Sequence, residues 1–213
     1  MIKRLIFDVD NTLIEWKSEY WSTLEKVFSE LNIKYNKELS NNIIKAIDTY
    51  EDSNEYYSRQ KMLEHINKIA KCNFDMNFLN IVLEKFQICV PNKDEKIINT
   101  LDYLSKKYEL VILTNWFKDI QENRLKNFGI LHFFSNVFAG ETFKIKPNKE
   151  SFIMAMQNRA PEECIMIGDS LKNDIQGAIN VGIKAIYINK QANKEEKKEY
   201  IIINKIEELT KIL

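Results

Sequence analysis

The feature that most restricts this 213-residue chain is residues 5–12, LIFDVDNT, where an apolar run breaks off into two carboxylates and a hydroxyl. Leu5, Ile6 and Phe7 follow one another without polar alternation, as expected of a central parallel strand covered on both faces. Asp8 and Asp10 come next, two residues apart. Side chains alternate along an extended backbone, so both carboxylates are expected on one side, close together. Two unit charges about 4 Å apart repel by roughly 4 kcal/mol at an effective dielectric near 20, a cost that a divalent cation would offset. Asn11 suits the turn that follows, because asparagine tolerates the left-handed region better than most residues with a Cβ. The plainer account is that Asp8, Asp10 and Asn11 are polar residues ending a strand in a solvated loop. The remainder of the chain weighs against it.

From residue 16 to residue 89 apolar residues recur at helical intervals: Trp21, Leu24 and Phe28, then Ile43, Ile47 and Tyr50, then Met62, Ile66 and Ile69, then Phe78, Val82 and Phe86. That periodicity predicts four amphipathic helices, and the absence of glycine and proline from the stretch fits a compact helical insert. Pro91 marks the return, after which strand and helix patterns alternate. Strands are expected at 110–114, 137–139, 164–167 and 185–188. Helices are expected around 97–104, at 118–127 closed by Gly129, at 148–158, and at 171–181 closed by Gly182. Such alternation implies right-handed crossovers and an α/β doubly wound parallel sheet. The domains are then an α/β core of residues 1–15 and 90–213 and a helical insert of residues 16–89. Residues 190–199 read as a solvated charge run and 204–213 as a terminal surface helix.

Lys plus Arg and Asp plus Glu number 31 each, so the chain carries no net charge and no electrostatic footprint for nucleic acid or a membrane surface. Cys72, Cys89 and Cys164 are odd in number, with no pair at metal-ligand or redox spacing, which fits a reducing, cytoplasmic compartment. No apolar run approaches the roughly 18 residues needed to span a bilayer, and no signal-peptide core precedes the first strand. His65 and His132 have no partner at ligand spacing and are assigned to structure.

Further polar residues fall at the carboxyl ends of the predicted strands, where open parallel sheets present ligand sites. Thr114 and Asn115 end LVILTN, Lys146 lies in KIKP, and Asp169 closes IMIGD with Asp174 five residues on. Each has an ordinary reading taken singly: a helix cap for Thr114 and Asn115, a surface lysine for Lys146, capping by Asp169 and Ser170. Together, DVDNT, LTN, the KIKP lysine and GDSLKND resemble, in order and spacing, the haloacid dehalogenase superfamily of phosphoryl-transfer enzymes. The helical insertion after the first motif is similar to the cap of that superfamily's first subclass, and residues 114–149 to its nucleotidase-like phosphatases.

The resemblance implies a Rossmann-like core and a site in which Asp8 is the nucleophile, forming an aspartyl-phosphate, and Asp10 the general acid and base. It implies Mg²⁺ held by Asp8, the Asp10 backbone carbonyl and Asp169, with Asp174 in or beside the coordination shell. Thr114, the Asn115 amide and Lys146 would hold phosphate oxygens. With Asp10 protonated, the charges of Asp8, Asp169, Asp174, Lys146 and Mg²⁺ cancel, and a phosphate dianion is admitted. The expected activity is a Mg²⁺-dependent phosphatase acting on a small phosphorylated metabolite, a nucleoside monophosphate among the candidates. A sugar-phosphate phosphomutase is the alternative. A dehalogenase, which needs neither metal nor second acid, fits Asp10 and Asp174 poorly, and a non-catalytic binding protein has no use for clustered carboxylates. Trp16, Trp21, Tyr50, Tyr56, Tyr57 and Trp116 offer surfaces for stacking a base, against the commoner reading of such aromatics as bundle core. Trp116 and Phe143 stand where the family has smaller residues, and both rings are expected to narrow the pocket.

Overall fold

The structure, a computed structural model, describes residues 1–15, 20–191 and 199–213. Trp16 and most of the charge run at 190–199 therefore lie outside the described residues. The strands are β1 (Arg4–Phe7), β2 (Glu109–Thr114), β3 (Asn136–Ala139), β4 (Cys164–Gly168), β5 (Lys184–Ile188) and β6 (Tyr200–Ile203). They form one sheet in the order β3-β2-β1-β4-β5-β6, every pair parallel. The chain first builds outward from β1 through β2 to β3, then crosses back to lay β4 on the other side of β1. That reversal puts a crevice at the carboxyl ends of β1 and β4.

Alternate residues along the strands face opposite layers, as a sheet buried on both sides requires. Leu5, Phe7, Ile112 and Ile167 pack with Leu104 of α5 (Glu95–Ser105), Leu125 of α6 (Lys118–Phe128) and Leu209 of α9 (Leu209–Ile212). Ile6, Val111, Leu113 and Met166 pack with Phe152 of α7 (Lys149–Met156) and Ala178 of α8 (Gly177–Ile179). Gly129 ends α6 at φ +89°, and Gly182 follows α8 at φ +82°, conformations that a Cβ would strain.

Between β1 and α5 come four helices, α1 (Tyr20–Glu30), α2 (Lys37–Asp48), α3 (Arg59–Ala70) and α4 (Met76–Ile88). Asn36, Ser58 and Asp75 accept amide hydrogen bonds at the starts of α2, α3 and α4. Their apolar faces form a separate cluster, including Phe28, Ile47, Ile66 and Phe86, which Trp116, Phe117 and Ile145 join from the sheet side. Among the described residues, no helix is long and apolar enough to cross a membrane.

Several expectations need correction. Tyr200–Ile203 pairs with β5 as a sixth strand, where no strand was expected. The end of the chain is a 3-10 turn (Ile206–Glu208) and the short α9, and Ile206 and Leu209 are buried against α5 rather than lying on the surface. The stretch 171–181 begins as a π-helix over Leu171–Gln176. Trp21 is exposed and donates to Asn41 Oδ1 at 2.9 Å, outside the apolar stripe. Phe143 is buried in the cluster that includes Phe138 and Phe152 and is not among the described residues that line the crevice around Asp8. Both histidines make local contacts: His65 Nε2 lies 3.2 Å from Thr49 Oγ1, and the His132 ring rests on Phe133.

Candidate active site

The sequence places an acidic residue one step beyond each of the two central strands, and the parallel register brings them to the same level. Phe7 pairs with Ile167, and the Asp8 amide donates to the Ile167 carbonyl at 3.0 Å, so Asp8 and Asp169 leave the sheet side by side. Asn11 then turns the chain at φ +61°. Asp8, Asp169 and Asp174 each offer a carboxylate oxygen within 4.8 Å of the others. Gly168 makes this approach possible, since a Cβ there would sit 2.3 Å from Asp174 Oδ2. Ser170 caps the π-helix by accepting from the Asn173 amide, so the capping account of this loop is also correct.

Lys146 is the buried cation of the cluster. Its Nζ donates to Asp8 Oδ1 and to Asp174 Oδ1, each at 2.7 Å, and its side chain is 3% exposed. The surface reading of this lysine is therefore wrong. Its backbone is fixed from β2, for its N–H donates to Asn115 Oδ1 at 2.8 Å while Asn115 Nδ2 donates to its carbonyl at 3.1 Å. Burial alone would pull the Lys146 ammonium down, but the carboxylates of Asp174 and Asp8 outweigh it and hold the group charged far above the usual lysine range. Burial pushes the Asp8 carboxyl up against the pull of Lys146, and Asp174, Asp10 and Asp169 push the same way. Burial and Asp174 raise Asp169 to about 6. Crowded carboxylates of this kind are what a hard cation relieves. An all-oxygen donor set fits a divalent cation such as Mg²⁺, and here Asp8, Asp169 and Asp174 could hold it.

Asp10 lines the same cavity, of about 410 Å³, but its carboxylate is engaged differently from the expectation. Arg124, wholly buried on α6, donates to Asp10 Oδ1 at 2.5 Å, and Gln121 Nε2 donates to Oδ2 at 2.6 Å. Arg124 also donates to Gln121 Oε1, which orients that amide, and Gln121 Nε2 donates to Thr114 Oγ1 at 2.9 Å. Arg124 adds a positive charge beside Asp10 that the charge count made from the sequence did not include. Thr114 Oγ1 accepts from Gln121 and from the Trp116 amide, so the hydroxyl hydrogen is available to donate elsewhere.

The structure thus gathers Asp8, Asp10, Thr114, Asn115, Lys146, Asp169 and Asp174 in one crevice. Of the aromatics considered for stacking, Tyr57 and Trp116 line it; Tyr50 is core, and Trp21 and Tyr56 are partly exposed and not among its lining residues. Three residues escaped the sequence reading. Gln121 and Arg124 follow Phe117 and precede Phe128 at spacings that put all four on one stripe of α6, a polar pair inside an apolar face that could have been noticed. Glu51, on the 3-10 turn Tyr50–Asp52, carried no periodic signal.

A doubly wound parallel sheet with a lysine-bridged carboxylate cluster at its switch point, and a helical layer inserted after β1, defines a class of hydrolase. Residues 5–188 match the family model for haloacid dehalogenase-like hydrolases, and the chain belongs to that family. Among relatives, it is 27% identical to glyceraldehyde 3-phosphate phosphatase of Methanothermobacter thermautotrophicus over the whole of both chains. It is 28% identical to the pyrimidine 5'-nucleotidase PynA of Streptococcus pneumoniae, covering 88% of this chain and 84% of that one. The structure of the HAD-hydrolase YfnB of Bacillus subtilis bound to magnesium shares the fold, with a TM-score of 0.78 and 23% identity over 99% and 98% of the two chains.

Proposed function

We propose that this hydrolase is a Mg²⁺-dependent phosphatase of small phosphorylated metabolites, working through an aspartyl-phosphate on Asp8. The observation that carries the reading is Lys146 Nζ held 2.7 Å from both Asp8 and Asp174 in a crevice with three clustered carboxylates. A lysine in that position offsets charge on an incoming phosphoryl group and keeps the Asp8 carboxylate aimed. The similarity to a triose-phosphate phosphatase and a nucleotidase supports the substrate class.

Asp8, Asp169 and the Asp10 carbonyl, with Asp174 in or beside the coordination shell, would hold Mg²⁺, which would supply charge neutralisation and polarise the phosphoryl oxygens. Asp8 Oδ attacks phosphorus and the ester oxygen leaves. Asp10 gives that oxygen its proton and later takes one from the water that hydrolyses the aspartyl-phosphate. Gln121 and Arg124 are positioning residues, since they hold the Asp10 carboxylate by both oxygens. The Thr114 hydroxyl and the Asn115 amide are suited to donate to non-bridging oxygens. Residues 16–89 act as a cap that excludes water from the crevice, and the chain works in the cytoplasm, in keeping with three free cysteines.

The test is phosphate release from a panel of sugar phosphates and nucleotides with Mg²⁺, with excess chelator, and for Asp8→Asn. Turnover should need the cation and fall by roughly 10⁴-fold or more in the variant, with its fold retained by circular dichroism. Undiminished release in chelator, or from Asp8→Asn, would overturn the reading. Isomer formation without free phosphate would make the protein a mutase instead.

A further inference from the structure

The helical layer contributes a carboxylate to the crevice that the chemistry above does not use. Glu51 Oε1 accepts from the Tyr57 hydroxyl at 2.9 Å, and Oε2 accepts from Asn115 Nδ2 at 3.0 Å and Asn173 Nδ2 at 3.3 Å. The Asn115 amide cannot be reversed, because its Oδ1 is fixed as the acceptor of the Lys146 N–H. Glu51 is thus held as an acceptor by Tyr57 of the helical insert, by Asn115 just after β2 and by Asn173 of the π-helix after β4, and it lines the crevice beside Asp48. A carboxylate can take about four hydrogen bonds, one more than these three supply. Among the described residues that line the cavity, Lys146 is the one cation, and Asp8 and Asp174 already engage it. Among the described residues the wall facing the phosphoryl site is therefore negative, and a second anionic group on a substrate meets Glu51 and Asp48 there, while Lys144, paired with Glu55, and Lys172 line the adjoining cavity.

We infer that Glu51 is a specificity-determining residue: it accepts a hydrogen bond from the alcohol portion of the substrate and admits phosphomonoesters of polyhydroxy alcohols while turning away those that carry a carboxylate. Asp48 adds to the repulsion from the same wall. The inference rests on the phosphatase reading and narrows its substrate class. Discrimination here comes from an element of repulsion as much as from a new contact, and like charges brought together in a desolvated crevice are strongly disfavoured.

Three esters separate the possibilities on the Mg²⁺-loaded full chain: glycerol 3-phosphate, 3-phosphoglycerate with a carboxylate on the same three-carbon frame, and p-nitrophenyl phosphate, which carries no donor. The expected kcat/KM for glycerol 3-phosphate exceeds that for 3-phosphoglycerate by about 100-fold or more. Glu51→Gln, which keeps the shape and removes the charge, should shrink that ratio by about tenfold or more, with Asp48→Asn moving it in the same direction. A general loss of structure would lower both rates and leave their ratio alone. Equal turnover of the two esters by the unaltered protein overturns the inference, as does a ratio that neither variant moves. Should Glu51→Gln not fold, the unaltered ratio and Asp48→Asn decide. No phosphate from any of the three esters, p-nitrophenyl phosphate included, means instead that the phosphatase reading itself has failed and takes this inference with it.

Discussion

Arg124 shows how a single residue can serve both the core and the crevice. It is among the largest fully buried side chains, and its charge is matched by Asp10, which is itself partly exposed to the cavity. Removing one partner of such a pair leaves the other uncompensated, at a cost of about 3 kcal/mol. Arg124→Met should therefore lower Tm by roughly 6–12 °C for a chain of this size. The double variant with Asp10→Asn should recover part of that loss, and thermal melts of all four proteins measure the coupling. Asp169 makes a different prediction. Its carboxyl is raised to about 6 without metal, above the ordinary aspartate value, so the stability it contributes to the metal-free protein is full at low pH and is lost as pH rises through 6. Cation binding needs the ionised form and so runs the other way. The Mg²⁺ dissociation constant, measured by calorimetry, should be steady above pH 7 and rise by about tenfold between pH 7 and pH 5.

At the scale of elements, the junction from β4 to the π-helix carries the most geometric constraint. Gly168 ends β4 fully buried, with Asp174 folded back over it close enough that any Cβ would meet Asp174 Cβ, Cγ and Oδ2 at 2.3–2.6 Å. Asp174 has little freedom to yield, since Ser170 N–H and Lys146 Nζ hold its two oxygens. Gly168→Ala is expected to cost about 1–3 kcal/mol and to displace the lysine bridge, so melting temperature and phosphate release should fall together. The same junction shows what periodicity could and could not reveal. The apolar run of β4 and the closing Gly182 were legible, whereas no periodicity marks the π-turn, whose Asp174 is held by Lys146, a contact 28 residues apart. The sixth strand was missed for a related reason. Tyr200–Ile203 is a short edge segment that has no neighbour until β5 is in place to pair with it.

For the molecule as a whole, the metal-free crevice is a concentration of like charge held together by the packing around it. A cation that binds the folded state alone should stabilise it by about 2.7 kcal/mol at one hundred times its dissociation constant. Tm should thus rise by roughly 5–10 °C on adding Mg²⁺ at neutral pH, and Asp169→Asn should reduce that shift sharply. An unchanged melt across millimolar Mg²⁺ would count against a cation site among these carboxylates. Much of this architecture was written locally. Strand runs that stop in carboxylates, a glycine-free helical stretch and the spacing of four motifs specify a parallel sheet with its chemistry at one edge, because burial on both faces and the alternation of side chains act over a few residues. What the fold alone decided were the long-range pairings: Arg124 on Asp10, Glu51 beneath Asn115, and Phe143 in the core rather than at the pocket. Those depend on which helix face meets which strand end, and no local pattern encodes a contact made across 64 or 114 residues.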